Sequence, residues 1–263
     1  MRTTMFTMSM AVLLAACGSE SPKATKSAVD PGLLPVSAAV ATDLGLRDGS
    51  DVTGKVAWKG EKLKKPKSIK FGAEPYCEAA HPDPVPGEEY VVAEDGGVQW
   101  AFVYVTNVDK KYDATGEAVL DQSGCMYKPH VLGVMVGQTV KIKNSDKILH
   151  NIHGLPTANK EFNMGQPKEG QVDEVKFTTA EMAMKIKCDV HPWMGAWAHV
   201  MTHPFFATSG ADGSFKISGL PAGKYKIAVW HESFEGAKEA EVEVDGKGPK
   251  ADVNFELNAK KTK

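Results

Sequence analysis

The chain has 263 residues, a formal net charge of −2, 24% charged residues and four Cys. That length suits one large or two small domains. Charges of both signs are interspersed, so there is no basic face for a nucleic acid and no such partner is expected.

Residues 1–17 read as an export signal. Arg2 supplies the positive end, and Met10-Ala11-Val12-Leu13-Leu14 supplies an apolar run too short to span a bilayer. Leu14-Ala15-Ala16-Cys17 resembles the lipobox of bacterial lipoproteins. The resemblance implies cleavage before Cys17 and acylation of Cys17. The mature protein is then expected to be a soluble body held on a bacterial membrane by lipid chains, facing the periplasm or the cell surface. Gly18 stands where an Asp would favour the inner membrane, which points to the outer one. Residues 18–50 are rich in Ser, Ala, Thr, Pro and Lys without a sustained period and read as a flexible tether.

From residue 51 the pattern is strand and turn. Val52 to Trp58, Val98 to Val105, Thr139 to Lys143, Val172 to Phe177 and Met182 to Cys188 alternate or run apolar. Asp95-Gly96, Asp212-Gly213 and Asp245-Gly246 are turn dipeptides. A single short turn of helix is expected within 158–168. Lys62-Leu63-Lys64-Lys65-Pro66-Lys67 reads as a solvated loop, and Pro82 to Gly87 as part of a long Pro-rich excursion. Three portions follow: a β-rich one at 51–124, a metal-binding one at 125–203 and a third at 204–257. In the third, Asp212 to Tyr225 spell DG-x-F-x-I-x-G-L-P-x-G-x-Y, which resembles the carboxypeptidase-regulatory, prealbumin-like β-sandwich family. The opening strand of that family is similar to Val52–Trp58. The resemblance implies that 51–60 completes this sandwich and that the metal-binding portion is inserted into it or packed between its parts. No catalytic set travels with the motif.

Cys188-Asp189-Val190-His191-Pro192-Trp193-Met194 places a thiolate, an imidazole and a thioether at C-x2-H-x2-M spacing. Upstream, Leu149-His150-Asn151-Ile152-His153 adds two imidazoles. Two His and one Cys in a trigonal set, with a weak axial Met, are the ligands of a blue-copper electron-transfer site. Zinc also accepts Cys and His, so these residue types leave both metals open.

The pair HNIH and CDVHPWM resembles the cupredoxin family, amicyanin- and plastocyanin-type members most closely, over residues 126–202. The resemblance implies one type 1 copper held by His150, Cys188, His191 and Met194. It gives Asn151 the task of tying the two ligand loops together. Asp189 stands where relatives carry Ser or Thr, which removes a hydroxyl from the loop-to-loop bond and adds a negative charge beside the site. In relatives the second His is the exposed edge for electron exchange. Redox protein partners are therefore expected near His191 and Trp193, on an apolar rim of Pro192, Trp193 and Trp197. With Cys17 lipidated and Cys188 on the metal, Cys77 and Cys125 remain as an even pair in an oxidising compartment, and a disulfide is expected between them.

The expected fold is all-β, a cupredoxin Greek-key β-sandwich plus a second small β-sandwich. The expected function is a lipid-anchored carrier of single electrons that is not an enzyme. Met194 as axial ligand leaves no open position for a substrate. Copper storage or delivery, an adhesion or structural sandwich with a structural metal, and an enzyme with a modified copper centre are the alternatives. His153 lies three residues after His150, on the opposite face of a strand. His130, His199, His203 and His231 are not gathered into a second metal site by sequence proximity.

Overall fold

Residues 49–61, 63–72, 74–236, 239–247 and 249–259 are described by the computed structural model. The export signal, Cys17 and nearly all of the tether lie outside them. The described residues fall in one unit, Leu33–Lys263. They form strands, apart from loops and a single six-residue helix. The fold is all-β, as the alternating patterns predict.

Two sandwiches share the chain. The first pairs two sheets. One has β3 (Glu117–Gln122), β4 (Tyr127–Lys128), β6 (Thr139–Asn144) and β9 (Val172–Lys176) in the order β4-β3-β6-β9. The other has β5 (Val131–Met135), β7 (His150–Leu155), β8 (Phe162–Gln166), β10 (Glu181–Lys187) and β11 (Gly195–Met201) in the order β5-β11-β10-β7-β8. On β6 the buried Val140 and Ile142 alternate with Lys141 and Lys143, the period-2 signature of a strand with one face in a core. They meet Leu120, Leu132, Ile152, Met184, Ile186 and Val200 in a single apolar cluster that also holds Cys188 and Met194.

The second sandwich uses β1 (Ser50–Trp58), β13 (Ser214–Leu220), β15 (Phe234–Glu235), β17 (Pro249–Asp252) and β18 (Phe255–Ala259) on one side. On the other side β2 (Phe102–Val105), β12 (Phe206–Thr208), β14 (Gly223–Trp230) and β16 (Ala240–Val244) run in the order β12-β2-β14-β16. β2 and β12 are antiparallel neighbours, Phe206 opposite Tyr104, yet the whole first sandwich is threaded between them in sequence. The 51–124 portion is consequently not one body. β1 and β2 belong to the second sandwich, whereas β3 joins the first through its parallel pairing with β6, Leu120 opposite Ile142.

β5 is buried along its whole length. One face enters the first core through Leu132 and Val134. The other packs Val131 and Met135 against Phe102 and Phe206 of the second sandwich. Gly133 lies at that junction, where a Cβ would come within 2.5 Å of the Phe206 ring and 2.6 Å of the Phe102 ring. Only a residue without a Cβ lets the sheets close there.

Between β1 and β2 the chain makes a long excursion over the first sandwich. It carries the helix α1 (Pro75–Ala80), with Pro where the missing N–H costs nothing. Cys77 of α1 is bonded to Cys125, the expected disulfide. No helix forms at 158–168. Phe162–Gln166 is β8, paired residue by residue with β7 from Gly154 to His150, and tertiary pairing overrides the weak local signal.

Candidate metal centre

His150 opens β7, and Cys188 follows the last residue of β10. His191 and Met194 lie on the turn from β10 to β11. Met194 N–H donates to His191 O at 2.9 Å, and Cys188 N–H donates to Met194 O at 3.2 Å. These bonds close the seven-residue loop on itself. His150 Nδ1 and His191 Nδ1 lie 3.0 Å apart, and Cys188 Sγ is 3.9 Å from His191 Nδ1. The ligand atoms of His150, Cys188 and His191 all fall within 4.8 Å of one another, and all three residues are buried. Met194 is buried in the same core. Two imidazole nitrogens and a sulfur converging away from water fit a copper or zinc ion.

The electrostatics agree with that donor set. Burial pushes the Cys188 thiol pKa up, but hydrogen bonds from His150 and from the backbone at His191, Asn151 and Val190 outweigh it, and the net shift is downward. The shift is toward the thiolate, which is the metal-binding form. Burial and the neighbouring His150 lower the pKa of His191, which favours a neutral ring with a free lone pair. Burial also pulls His150 down, yet the Asp146 carboxylate and the Cys188 thiolate raise it overall.

Three residues that the sequence reading did not single out hold the ligands in place. Asp146 Oδ2 accepts from His150 Nε2 at 2.8 Å. Burial raises the Asp146 pKa, but hydrogen bonds from His150, Cys125 and Gly124 bring it down to about 2. Asn144 Nδ2 donates to Ile148 O at 2.9 Å and to Gln166 O at 2.8 Å, which shapes the approach to His150. Tyr127 places its hydroxyl 2.5 Å from Asn151 O and 3.1 Å from Lys187 O, between the two ligand-bearing strands. The i,i+4 spacing of Asp146 and His150 was the one local signal among them.

The loop-to-loop tie is intact. Asn151 Oδ1 accepts from the backbone N–H of Asp189 at 2.9 Å, so the bond does not use the side chain at 189. The Asp189 carboxylate turns outward instead, to Lys187 Nζ at 2.7 Å, His153 Nδ1 at 2.9 Å and Asn163 Nδ2 at 3.0 Å. His153 lies outside the cluster, between Asp189 and Glu161.

The metal end differs from the expected exposed edge. His191 is only 2% exposed. Trp193 packs on it with ring centroids 5.0 Å apart, and Phe71 of the excursion meets Trp193 edge-on at 5.5 Å. Trp193 Nε1 donates to Cys125 O at 3.1 Å, which fixes the indole beside the disulfide. Trp197 is not part of this rim, because it packs on Trp230 at 5.4 Å where the two sandwiches meet. Pro192 of the expected rim is exposed, and the large apolar side chains open to solvent beside the ligands are Leu149, 42% exposed, and Val190, 46% exposed.

The remaining histidines do not assemble. His130 bonds to Gly195 O at 3.0 Å and to Glu232. His199 stacks on Phe102 with centroids 4.1 Å apart. His203 accepts from Phe205 N–H, and His231 from Ser233 N–H. Among the described residues the other grouping with metal-ligand spacing is Cys125, Asp146 and His150. The Cys125 sulfur is spent in the disulfide, so that grouping is no separate site.

No protein-family model matches the chain, and no curated protein does. Solved structures are similar to part of it. A purple cupredoxin from Nitrosopumilus maritimus is 26% identical over 32% of this chain and 99% of its own, with a TM-score of 0.28. A Cu(I) form of an amicyanin variant is 25% identical over 37% of this chain and 97% of its own, with a TM-score of 0.29. A copper-containing nitrite reductase from Thermus scotoductus SA-01 is 21% identical over 36% of this chain, with a TM-score of 0.31. The match spans a quarter of that reductase.

Proposed function

We propose that this protein carries single electrons at a type 1 copper held by His150, Cys188, His191 and Met194. The observation that carries the proposal is the buried cluster of two imidazole nitrogens 3.0 Å apart and a thiol 3.9 Å from one of them. Copper bound there supplies a one-electron couple and, with a thiolate ligand, a tunable potential. The protein's part is to keep the ligands still while charge changes. Backbone N–H groups hold the Cys188 sulfur, Asp146 orients His150, and Asn151 locks one ligand loop to the other. Phe71 and Trp193 keep water from His191.

Burial of His191 favours electron transfer over delivery of the ion, because a metal passed to a partner needs an open path. Redox protein partners would dock beside Trp193, over Leu149 and Val190, and electrons would pass through the packed side chains rather than by direct contact with His191. With Met194 as the fourth ligand the site has no place for a substrate, so the protein is read as a carrier and not an enzyme. Acylation at Cys17 would hold it on a bacterial membrane, with the second sandwich as a scaffold.

The test is the visible absorption and EPR spectrum of the Cu(II)-loaded protein beside Cys188→Ser. An intense thiolate-to-copper band with narrow copper hyperfine splitting, lost in the variant, is expected. A colourless protein, or one with only a weak square-planar copper signal, would contradict the ligand assignment.

A further inference from the structure

We propose that Asp146 is the positioning residue for the ligand His150, and that the Cys77–Cys125 disulfide fixes Asp146 in that task. The proposal rests on the copper reading above and adds to it a control of the metal from outside the ligand set.

Asp146 is buried, and both of its carboxylate oxygens are engaged. Oδ2 accepts from His150 Nε2 and from Cys125 N–H, each at 2.8 Å. Oδ1 accepts from Gly124 N–H at 2.8 Å and from the Tyr76 hydroxyl at 3.3 Å. The Asp146 N–H donates to Asn144 Oδ1 at 2.9 Å, which closes the turn that carries it. The carboxylate is thus pinned from the excursion and from the Gly124–Cys125 turn, and its backbone from β6.

That turn has an unusual backbone. Gly124 has φ 64° and Cys125 has φ 56°, a left-handed pair that aims both N–H groups at one carboxylate. A non-glycine residue adopts this conformation only when its surroundings impose it. Cys125 is held at three points: its sulfur by Cys77, its N–H by Asp146, and its carbonyl by Trp193 Nε1 at 3.1 Å. Through these it touches the supports of both metal-binding imidazoles, His150 by way of Asp146 and His191 by way of Trp193.

The chemical consequence lies at His150. With Nε2–H donated to Asp146, the neutral ring is the Nε2–H tautomer and its Nδ1 lone pair faces Cys188 and His191. Such outer partners fix the ring and raise the basicity of a ligating His. A fixed negative charge behind the ligand also stabilises the more positive metal state, Cu(II).

The experiment has two arms. In the metal-free protein, ring 15N shifts report the His150 tautomer. In the copper-loaded protein, redox titration reports the potential. Asp146→Asn is expected to leave His150 as a mixture of tautomers and to shift the couple toward Cu(I) by roughly tenfold, or ~59 mV for one electron. Cys77→Ala with Cys125→Ala is expected to shift it the same way, and to add a much smaller shift in the Asp146→Asn background, where only the Trp193 route to His191 remains. Unchanged tautomer and potential in Asp146→Asn would overturn the positioning role. A full-sized disulfide effect persisting without Asp146 would overturn the coupling. If Asp146→Asn does not fold, Tyr76→Phe, which frees one carboxylate oxygen from its hydroxyl partner, replaces it with the tautomer as the readout: a partial mixture of His150 tautomers supports the proposal, and an unchanged tautomer overturns it. A wild-type protein without a thiolate band contradicts the copper reading alone, and the tautomer still decides the role of Asp146.

Discussion

Replacing Cys77 and Cys125 together by Ala is expected to lower the unfolding free energy by about 4 kcal/mol, the chain-entropy cost of opening a loop of this size. The bond joins residues 48 apart in sequence, and the loop it closes contains much of the excursion between β1 and β2. That excursion has little core of its own. Residues 78–80 and 82–84 are exposed. Its other anchors near the metal end are single contacts, Phe71 on Trp193, His81 to Gly124 O and Tyr76 to Asp146. Urea unfolding of the metal-free wild type and double variant measures the difference. A loss under about 1 kcal/mol would show that these contacts hold the excursion without the disulfide, and that the bond adds little constraint to the unfolded chain.

Acid should destabilise the metal-free protein through His199. This side chain is enclosed between Phe102 and Trp230, and burial holds its pKa down to about 3. The unfolded chain takes up that proton near the ordinary His value of about 6.5. Between those limits the unfolded state binds more protons, so stability falls as pH falls, by about 1.4 kcal/mol per pH unit for this site. His203, lowered to about 4 by burial, adds in the same direction. His130 and His153 have raised values and oppose it. The comparison that isolates His199 is therefore wild type against His199→Gln. Their stability difference, from urea midpoints at pH 7, 5.5 and 4, is expected to move in favour of the variant as pH falls. A difference independent of pH would show that His199 takes up its proton in the fold over the same pH range as in the unfolded chain.

Parts of this structure are written locally and parts are not. β6 and β10 show in the sequence because one face of each meets a core, so Val140, Ile142, Met184 and Ile186 recur at period 2. β5 hides its alternation because both faces are covered, one by its own core and one by Phe102 and Phe206. The approach of Cys188 to His191 is a property of one short loop and is visible in the spacing. His150 comes to them through the pairing of β7 with β10, Lys187 opposite His153, which no local pattern encodes. The cover over His191 is less legible still, since Phe71 arrives from more than a hundred residues upstream. Asp189 misleads a side-chain reading because its tie to Asn151 is made by the main chain.

Whether the metal centre is an electron carrier is tested most directly by cycling the copper-loaded protein with an inorganic one-electron reductant and oxidant while counting the copper that stays bound. Uptake and return of one electron per chain over repeated cycles, with the metal retained, is the predicted result. Release of copper on reduction, or no electron uptake at all, would contradict it.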